Sequence, residues 1–172
     1  MRVGLRPLQL ADSAVLLELY SANREFLAPF DPPRAADFLT EQGQAREVAV
    51  SVEAGLAGAS QRFVIEAESE PVGVLGISNI VEGAFRSANL GYWVAEDHNR
   101  RGIATQAVQL AARWAFDQRG LHRLEAGTLV DNLASQRVLE RNRFSRIGIS
   151  PRYLRIAGQW RDHILFARTV ED

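Results

Sequence analysis

The chain has 172 residues, 47% of them hydrophobic and 24% charged, with a formal net charge of −1; that is the balance of a globular protein with a core of its own and without the general positive field that holds nucleic acid. It has no cysteine, which excludes disulfides, thiol catalysis and cysteine metal sites, and its three histidines, His98, His122 and His163, are scattered rather than spaced as zinc ligands. No metal is expected.

The first twenty residues show no unbroken apolar run behind the basic start and no small-residue cleavage site, so they do not read as a signal peptide. No segment approaches the ~18 consecutive apolar residues of a membrane span. A cytoplasmic protein without a membrane partner is expected. Val3 to Leu8 alternates as a first strand. Asp12 or Ser13 can cap a helix whose apolar face holds Val15, Leu16 and Leu19. Pro29, Pro32 and Pro33 then break helical structure and make an aromatic-lined loop out of "NREFLAPFDPPR". A helical pattern returns from about Ala35 to Leu56, weakened by Gly43, Gly55 and Gly58.

Three strands follow, "QRFVIEA", "PVGVLGISNIV" and "SANLGYWVA". The next helix runs from Arg101 to Gln118, with Ile103, Ala107, Val108, Leu110, Ala111, Trp114 and Ala115 on one broad face, and Gly120 ends it. "LHRLEAGTLV" is a strand, and "NLASQRVLERNR" a short helix with Leu133, Val138 and Leu139 inward. "FSRIGIS" and "DHILFARTV" close the chain as strands, with a turn at Gly158. This order predicts a mixed α/β fold around one sheet, a single domain over residues 1–172.

"HNRRGIATQAV" asks for an explanation beyond stability. A helix start leaves four backbone N–H groups without intrahelical partners, and the helix dipole adds roughly half a positive charge there. Gly102 and Ala104 keep that backbone accessible, Arg100 and Arg101 add charge, and Thr105 adds a hydroxyl. The stretch reads either as a pyrophosphate cradle or as a solvated basic helix start. It lacks the glycines of a dinucleotide fingerprint and the Gly-Lys-Ser/Thr ending of a P-loop.

"NLGYWVAEDHNRRGIATQAV" resembles motif A of the GNAT acetyltransferases, which bind the pyrophosphate of acetyl-CoA through Arg/Gln-x-x-Gly-x-Gly/Ala after their fourth strand. Arg101-Gly102-Ile103-Ala104 fits, and Asn99 replaces the usual Arg or Gln. "DNLASQRVLERNRF" resembles the second cofactor motif, with matches at Asn132, Ser135, Val138, Leu139 and Phe144. The resemblance implies acetyl-CoA as co-substrate, held by Trp93, Val94, Asn99, Arg100, Arg101, Gly102, Ile103, Ala104, Thr105, Asn132 and Ser135. Asn132 would bond the pantetheine arm, or serve only as a helix cap. Arg137 and Arg141 are either contacts to the ribose phosphate or a solvated face.

"NREFLAPFDPPR", the central hairpin and "YLRIAGQWRDHILFA" are similar to the RimJ/RimL branch, the ribosomal-protein-alanine N-acetyltransferases, and closer to RimJ. The implied partner is a protein N-terminus, ribosomal proteins with Ala, Ser or Thr in first place among them. The chain itself would be a monomer or homodimer. The Glu proposed as general base in the RimL pattern is Leu154 here.

Acetyl transfer needs a neutral amine. At pH 7 roughly a tenth of an α-amine is neutral but only about one lysine in a few thousand, a difference on the order of 3 kcal/mol. A site without a strong base therefore favours α-amines. The backbone N–H at or near Val94 would polarise the thioester, as the resemblance implies. Glu82, with Asn79 as a water holder, or Asp31 or Glu25, would take the amine proton, and Ser135 would protonate the departing thiolate. Glu25, Phe26, Phe30 and Asp31 are candidates for the acceptor side, with Trp93 as a wall. Asp162 and His163 alternate along a strand and point to opposite faces, so they cannot act on one atom together, and Asp162 reads as a structural hydrogen-bond partner. Two further readings stay open: acetylation of a small-molecule amine, and a non-catalytic acetyl-CoA-binding module.

Overall fold

The middle strands are too apolar to leave either face in water: Phe63, Val64 and Ile65, consecutive on one strand, are all buried. Such a strand needs cover on both sides, and the computed structural model, which describes residues 1–170, supplies it. Glu171 and Asp172, the end of the expected domain, lie outside the described residues.

Seven strands form one mixed sheet in the order β1-β2-β3-β4-β5-β7-β6. They are β1 (Val3–Pro7), β2 (Gln61–Ala67), β3 (Glu70–Val81), β4 (Ser87–Val94), β5 (Arg123–Leu129), β6 (Ser145–Ile156) and β7 (Gln159–Thr169). All neighbours are antiparallel except β4 and β5. The helices are α1 (Ser13–Ala22), α2 (Arg24–Leu27), α3 (Glu41–Leu56), α4 (Ile103–Arg113) and α5 (Leu133–Arg141). Phe63 and Ile65 pack against Ile103, Ala107, Val108 and Ala111 of α4 and Leu139 of α5 on one face. Val64 and Val74 pack against Leu16 and Tyr20 of α1 and Val48 of α3 on the other. The element order matches the expectation from sequence except for α2, a single helical turn inside the stretch expected to be loop.

Several local expectations are corrected. Residues 35–40 are not helical: Thr40 accepts a hydrogen bond from the Gly43 N–H at 3.0 Å, a cap that starts α3 at Glu41. Asp12 stands at the start of α1 but makes no side-chain cap to it; its carboxylate closes the 3-10 turn Leu10–Asp12 instead. It takes two hydrogen bonds from the Arg6 guanidinium, both 2.9 Å, and one from the Gln9 N–H at 2.7 Å. The long helix changes to a π-turn at Trp114–Gln118, where the Arg119 N–H reaches back to the Trp114 carbonyl. Leu133 is exposed rather than inward. β6 continues past Ser150 to Ile156 through an irregularity between Ser150 and Leu154. Its middle is tied down by the Arg152 N–H, which donates to Asp162 Oδ1 at 2.8 Å, the structural role expected of Asp162.

The feature that creates a site is a fault in the sheet. β4 and β5 pair only at Ser87–Arg123, Ala88–Leu124 and Asn89–Glu125. Beyond Asn89 and Glu125 the two parallel strands diverge, and the chain leaves both at the same end, β4 toward α4 and β5 toward α5. Ligands in α/β sheets bind at the carboxyl ends of strands flanking such a break.

Candidate active site

β4 stays paired with β3 while it parts from β5. The Ala95 N–H donates to the Val72 carbonyl at 2.8 Å, and the register pairs Gly73 with Val94. Antiparallel pairing alternates, so Leu90, Tyr92 and Val94 turn their N–H and C=O groups away from β3 and into the gap. At Gly73 a Cβ would overlap the Trp93 carbonyl, so only glycine lets β3 approach β4 closely here.

A cavity of about 400 Å³ occupies the gap and passes from one face of the sheet to the other. On the α5 face it meets Tyr92, Asn132, Ser135 and Leu139; on the α1 face it meets Tyr20, Arg34, Arg62 and Trp93. The Tyr92 and Ser135 hydroxyls lie 2.9 Å apart, and the phenol is also 3.3 Å from the Ser135 carbonyl. Burial, partly offset by the hydrogen bond with Ser135, pushes the Tyr92 phenol up to about 12. It therefore stays protonated at any working pH. Asn132 does cap α5, its Oδ1 accepting from the Ser135 N–H at 3.1 Å. That leaves its Nδ2 free to donate, so capping and ligand contact do not compete. Thr128 Oγ1 is buried in the cavity wall with no hydrogen-bond partner among the described residues.

The start of α4 lies at the same end of the gap. Gly102 is its cap, with φ +78°, and open space surrounds the position of a Cβ. Glycine adopts that left-handed backbone without strain and offers no side-chain acceptor to the first N–H groups of α4, which remain available to an anion. Arg100 and Arg101 are exposed beside it, whereas Ile103 is buried and contributes backbone only. Asn99 and Thr105 are half-buried, and the Thr105 carbonyl accepts from Asn142 Nδ2 at 3.1 Å, which joins α4 to the end of α5. The turn before the cradle is anchored from the far side: the Glu96 N–H donates to Asn23 Oδ1 at 2.9 Å.

Residues 2–145 match the family model described as acetyltransferase (GNAT) domain. The chain belongs to the GNAT acetyltransferases. Over 167 residues it is 36% identical to the probable N-acetyltransferase YjcK of Bacillus subtilis, covering 96% of this chain and 92% of that one. It is 31% identical to the Escherichia coli [ribosomal protein uS5]-alanine N-acetyltransferase, over 99% of this chain and 89% of that one. Among solved structures it superposes on Mycobacterium smegmatis RimJ in complex with CoA-disulfide with a TM-score of 0.94 at 36% identity, covering 98% of this chain and 82% of that one.

This GNAT acetyltransferase brings some of its sequence candidates together and separates others. Phe30 and Asp31 line the cavity, and Asp31 is held by Arg34 at 3.0 Å. The Asp31 carbonyl accepts from the Ala157 N–H at 3.1 Å, which ties the proline loop to the β6–β7 turn over the acceptor mouth. Phe26 packs into the core between α1 and α3, and Glu25 is an exposed residue of α2 outside the cavity wall. Trp93, read as a cofactor residue and a wall, turns its ring to the α1 face, away from Ser135, with its indole N–H donating to the Tyr20 hydroxyl at 3.2 Å. Val94 keeps its side chain in the core and only its backbone faces the gap.

Glu82 and Asn79 do not reach the cavity. Asn79 sits in the irregularity of β3 between its Ser78 and Val81 pairs, and Glu82 follows the end of β3; they are about three and six residues past Gly76 in the cavity wall, and a strand rises about 3.3 Å per residue. The Glu82 carboxylate is exposed and 3.2 Å from Arg119, and Asn79 donates to Asn89 Oδ1 at 3.2 Å. Arg137 and Arg141 are exposed on α5. Among the described residues no His, Asp and Glu cluster is placed to hold a metal ion, and no helix is long and apolar enough to cross a membrane.

Sequence reasoning misses Tyr92, Thr128 and His163 as site residues. His163 is buried and lines the cavity from β7, facing Leu129 across the β5–β7 pairing. Its Nδ1 lies 3.0 Å from the Arg161 carbonyl. A carbonyl only accepts, so Nδ1 carries the hydrogen and, in the neutral ring, Nε2 carries the lone pair. Tyr153 packs on the ring at 5.5 Å between centroids. The signal for Tyr92 is its parity with Leu90 and Val94 on β4; for His163 it is an isolated polar residue amid "HILFA".

Proposed function

We propose that this enzyme moves the acetyl group of acetyl-CoA to the α-amine at a protein N-terminus, with ribosomal proteins that begin with Ala, Ser or Thr as the leading acceptors and the cytoplasm as the setting. The observation that carries this reading is the cavity in the β4–β5 gap, lined from the α5 face by Tyr92, Asn132 and Ser135 and from the α1 face by Tyr20, Arg34, Arg62 and Trp93. Two substrates can enter from opposite sides and meet in the plane of the sheet. The names of the Escherichia coli and Mycobacterium smegmatis relatives support the same reading.

Acetyl-CoA supplies the activated acyl group. The bare amides at Gly102–Thr105, with Arg101 beside them, hold its diphosphate. Asn132 Nδ2 takes a polar group of the arm, and the outward N–H of Tyr92 or Val94 polarises the thioester carbonyl. The amine nitrogen attacks the carbonyl carbon as the C–S bond breaks. His163 Nε2 receives the amine proton, directly or through water, on the acceptor face. Ser135, backed by Tyr92, returns a proton to the leaving sulfur. Leu154 stands in the cavity wall and offers no base, which makes an α-amine the chemically easier acceptor.

The test is thiol release from acetyl-CoA with peptides carrying free N-terminal Ala, Ser or Thr, followed by intact-mass measurement of the product. A mass gain of one acetyl group, blocked by prior N-terminal capping, supports the proposal. Turnover with small amines alone, or cofactor binding without turnover on any amine, overturns it.

A further inference from the structure

The acceptor wall contains a cluster with more donors than acceptors. Arg62 Nη2 donates to the Tyr20 hydroxyl oxygen at 2.7 Å, and Trp93 Nε1 donates to the same oxygen at 3.2 Å. Neither a guanidinium nor an indole N–H can accept. The Tyr20 oxygen has therefore spent its lone pairs, and its own hydrogen finds no acceptor among the described residues. Arg62 is no better compensated. Its other contact is Nη1 to Ser51 Oγ at 3.3 Å, and the Ser51 hydroxyl already donates to the Glu47 carbonyl. Among the described residues Arg62 has no carboxylate partner, whereas Arg34, on the same cavity, has Asp31 at 3.0 Å. Tyr20 is 3% exposed, so its hydroxyl is withdrawn from bulk water, while Arg62 and Trp93 are half-buried and line the cavity. A buried hydroxyl hydrogen and a cation without a counter-ion both call for oxygen, and an anionic one satisfies both at once.

We infer that the acceptor carries a carboxylate close to its reactive amine: a protein N-terminus with an acidic residue within its first few positions. This rests on the N-terminal acetylation proposed above and names its substrate class. The chain is net negative overall, so this preference is local to the pocket and not a long-range attraction of acidic partners.

The experiment compares synthetic peptides with free N-terminal alanine that differ only at the following positions, bearing glutamate, glutamine or lysine there. The glutamate peptides should show a kcat/KM about tenfold or more above the glutamine peptides, with lysine lowest. In Arg62→Gln the glutamate-to-glutamine ratio should collapse toward one, and in Tyr20→Phe it should fall part of the way. Equal rates on all three peptides overturn the inference and leave N-terminal acetylation standing. So does an unchanged ratio in Arg62→Gln when calorimetry shows acetyl-CoA still binding. If Arg62→Gln does not fold, Tyr20→Phe, which keeps the ring packed, decides by the same ratio. Acetylation of small amines with no peptide accepted removes the N-terminal reading, and this inference with it.

Discussion

The Tyr92 and Ser135 hydroxyls, one at the diverging end of β4 and the other in the first turn of α5, stand 2.9 Å apart in the cavity wall. The Tyr92 phenol, raised to about 12 by burial, holds its proton throughout the range in which the enzyme works. If the pair delivers a proton to the leaving sulfur as a unit, Ser135→Ala and Tyr92→Phe should each lower kcat by about 10- to 100-fold, while the Kd for CoA moves little. The double variant should be hardly worse than the poorer single one, because groups acting together are not additive. Steady-state kinetics with calorimetry checks both points, and full additivity would separate the two roles.

Gly102→Glu should weaken CoA binding by about 100-fold, because it sets a carboxylate where the diphosphate must lie. Gly102→Ala is the control. Its Cβ meets nothing in the protein, so its cost is the left-handed backbone alone, about 1–2 kcal/mol, read as a fall of a few degrees in Tm. Equal CoA affinity in the wild type and the folded glutamate variant would remove the cradle.

His163→Asn keeps an N–H able to reach the Arg161 carbonyl but places no lone pair where Nε2 stood. The expected result is a kcat lower by about 100-fold with KM for acetyl-CoA nearly unchanged. Partial recovery of rate on adding imidazole would mark proton transfer, which a merely structural role would not show. A kcat within about twofold of wild type would return the proton to solvent.

Asp12 gives the fold a pH dependence independent of the active site. Burial pushes its carboxyl up, but the Arg6 hydrogen bonds, the Gln9 N–H and the Arg6 charge together outweigh burial and hold it below the usual carboxylate value. A carboxyl lowered on folding contributes stability above its unfolded pKa, and that contribution is lost as pH falls through the folded value. Asp12→Asn should therefore cost about 2 kcal/mol near neutral pH, and the gap from wild type should close below about pH 4. Denaturant midpoints across that range measure it.

The glycine-capped, basic start of α4 is legible in the sequence because its logic is local: a glycine, two arginines and a helical pattern lie in one run. Asn132 and Ser135 are legible for the same reason. The catalytic face is not, because it depends on which side of a strand a residue occupies and on where two strands part company. Nothing near Asn89 or Glu125 marks the end of pairing. Tyr92 and Trp93 are neighbours in sequence yet serve opposite faces of the sheet, and Glu82 looks suitable only while the length of β3 between it and the gap is ignored. The residue pattern ends β6 at Ser150 because Pro151 cannot donate to a ladder; the strand resumes once Asp162 receives the Arg152 N–H.

The break between β4 and β5 leaves main-chain amides facing a hole in the middle of the molecule. An arm lying in that hole does for the sheet what a missing neighbour strand would do, so catalytic cargo doubles as a structural splint. Mass action then ties the folding equilibrium to metabolism: at about 100 times its Kd, a ligand of the native state adds about 2.7 kcal/mol. Saturating CoA should therefore raise the Tm of the protein by several degrees.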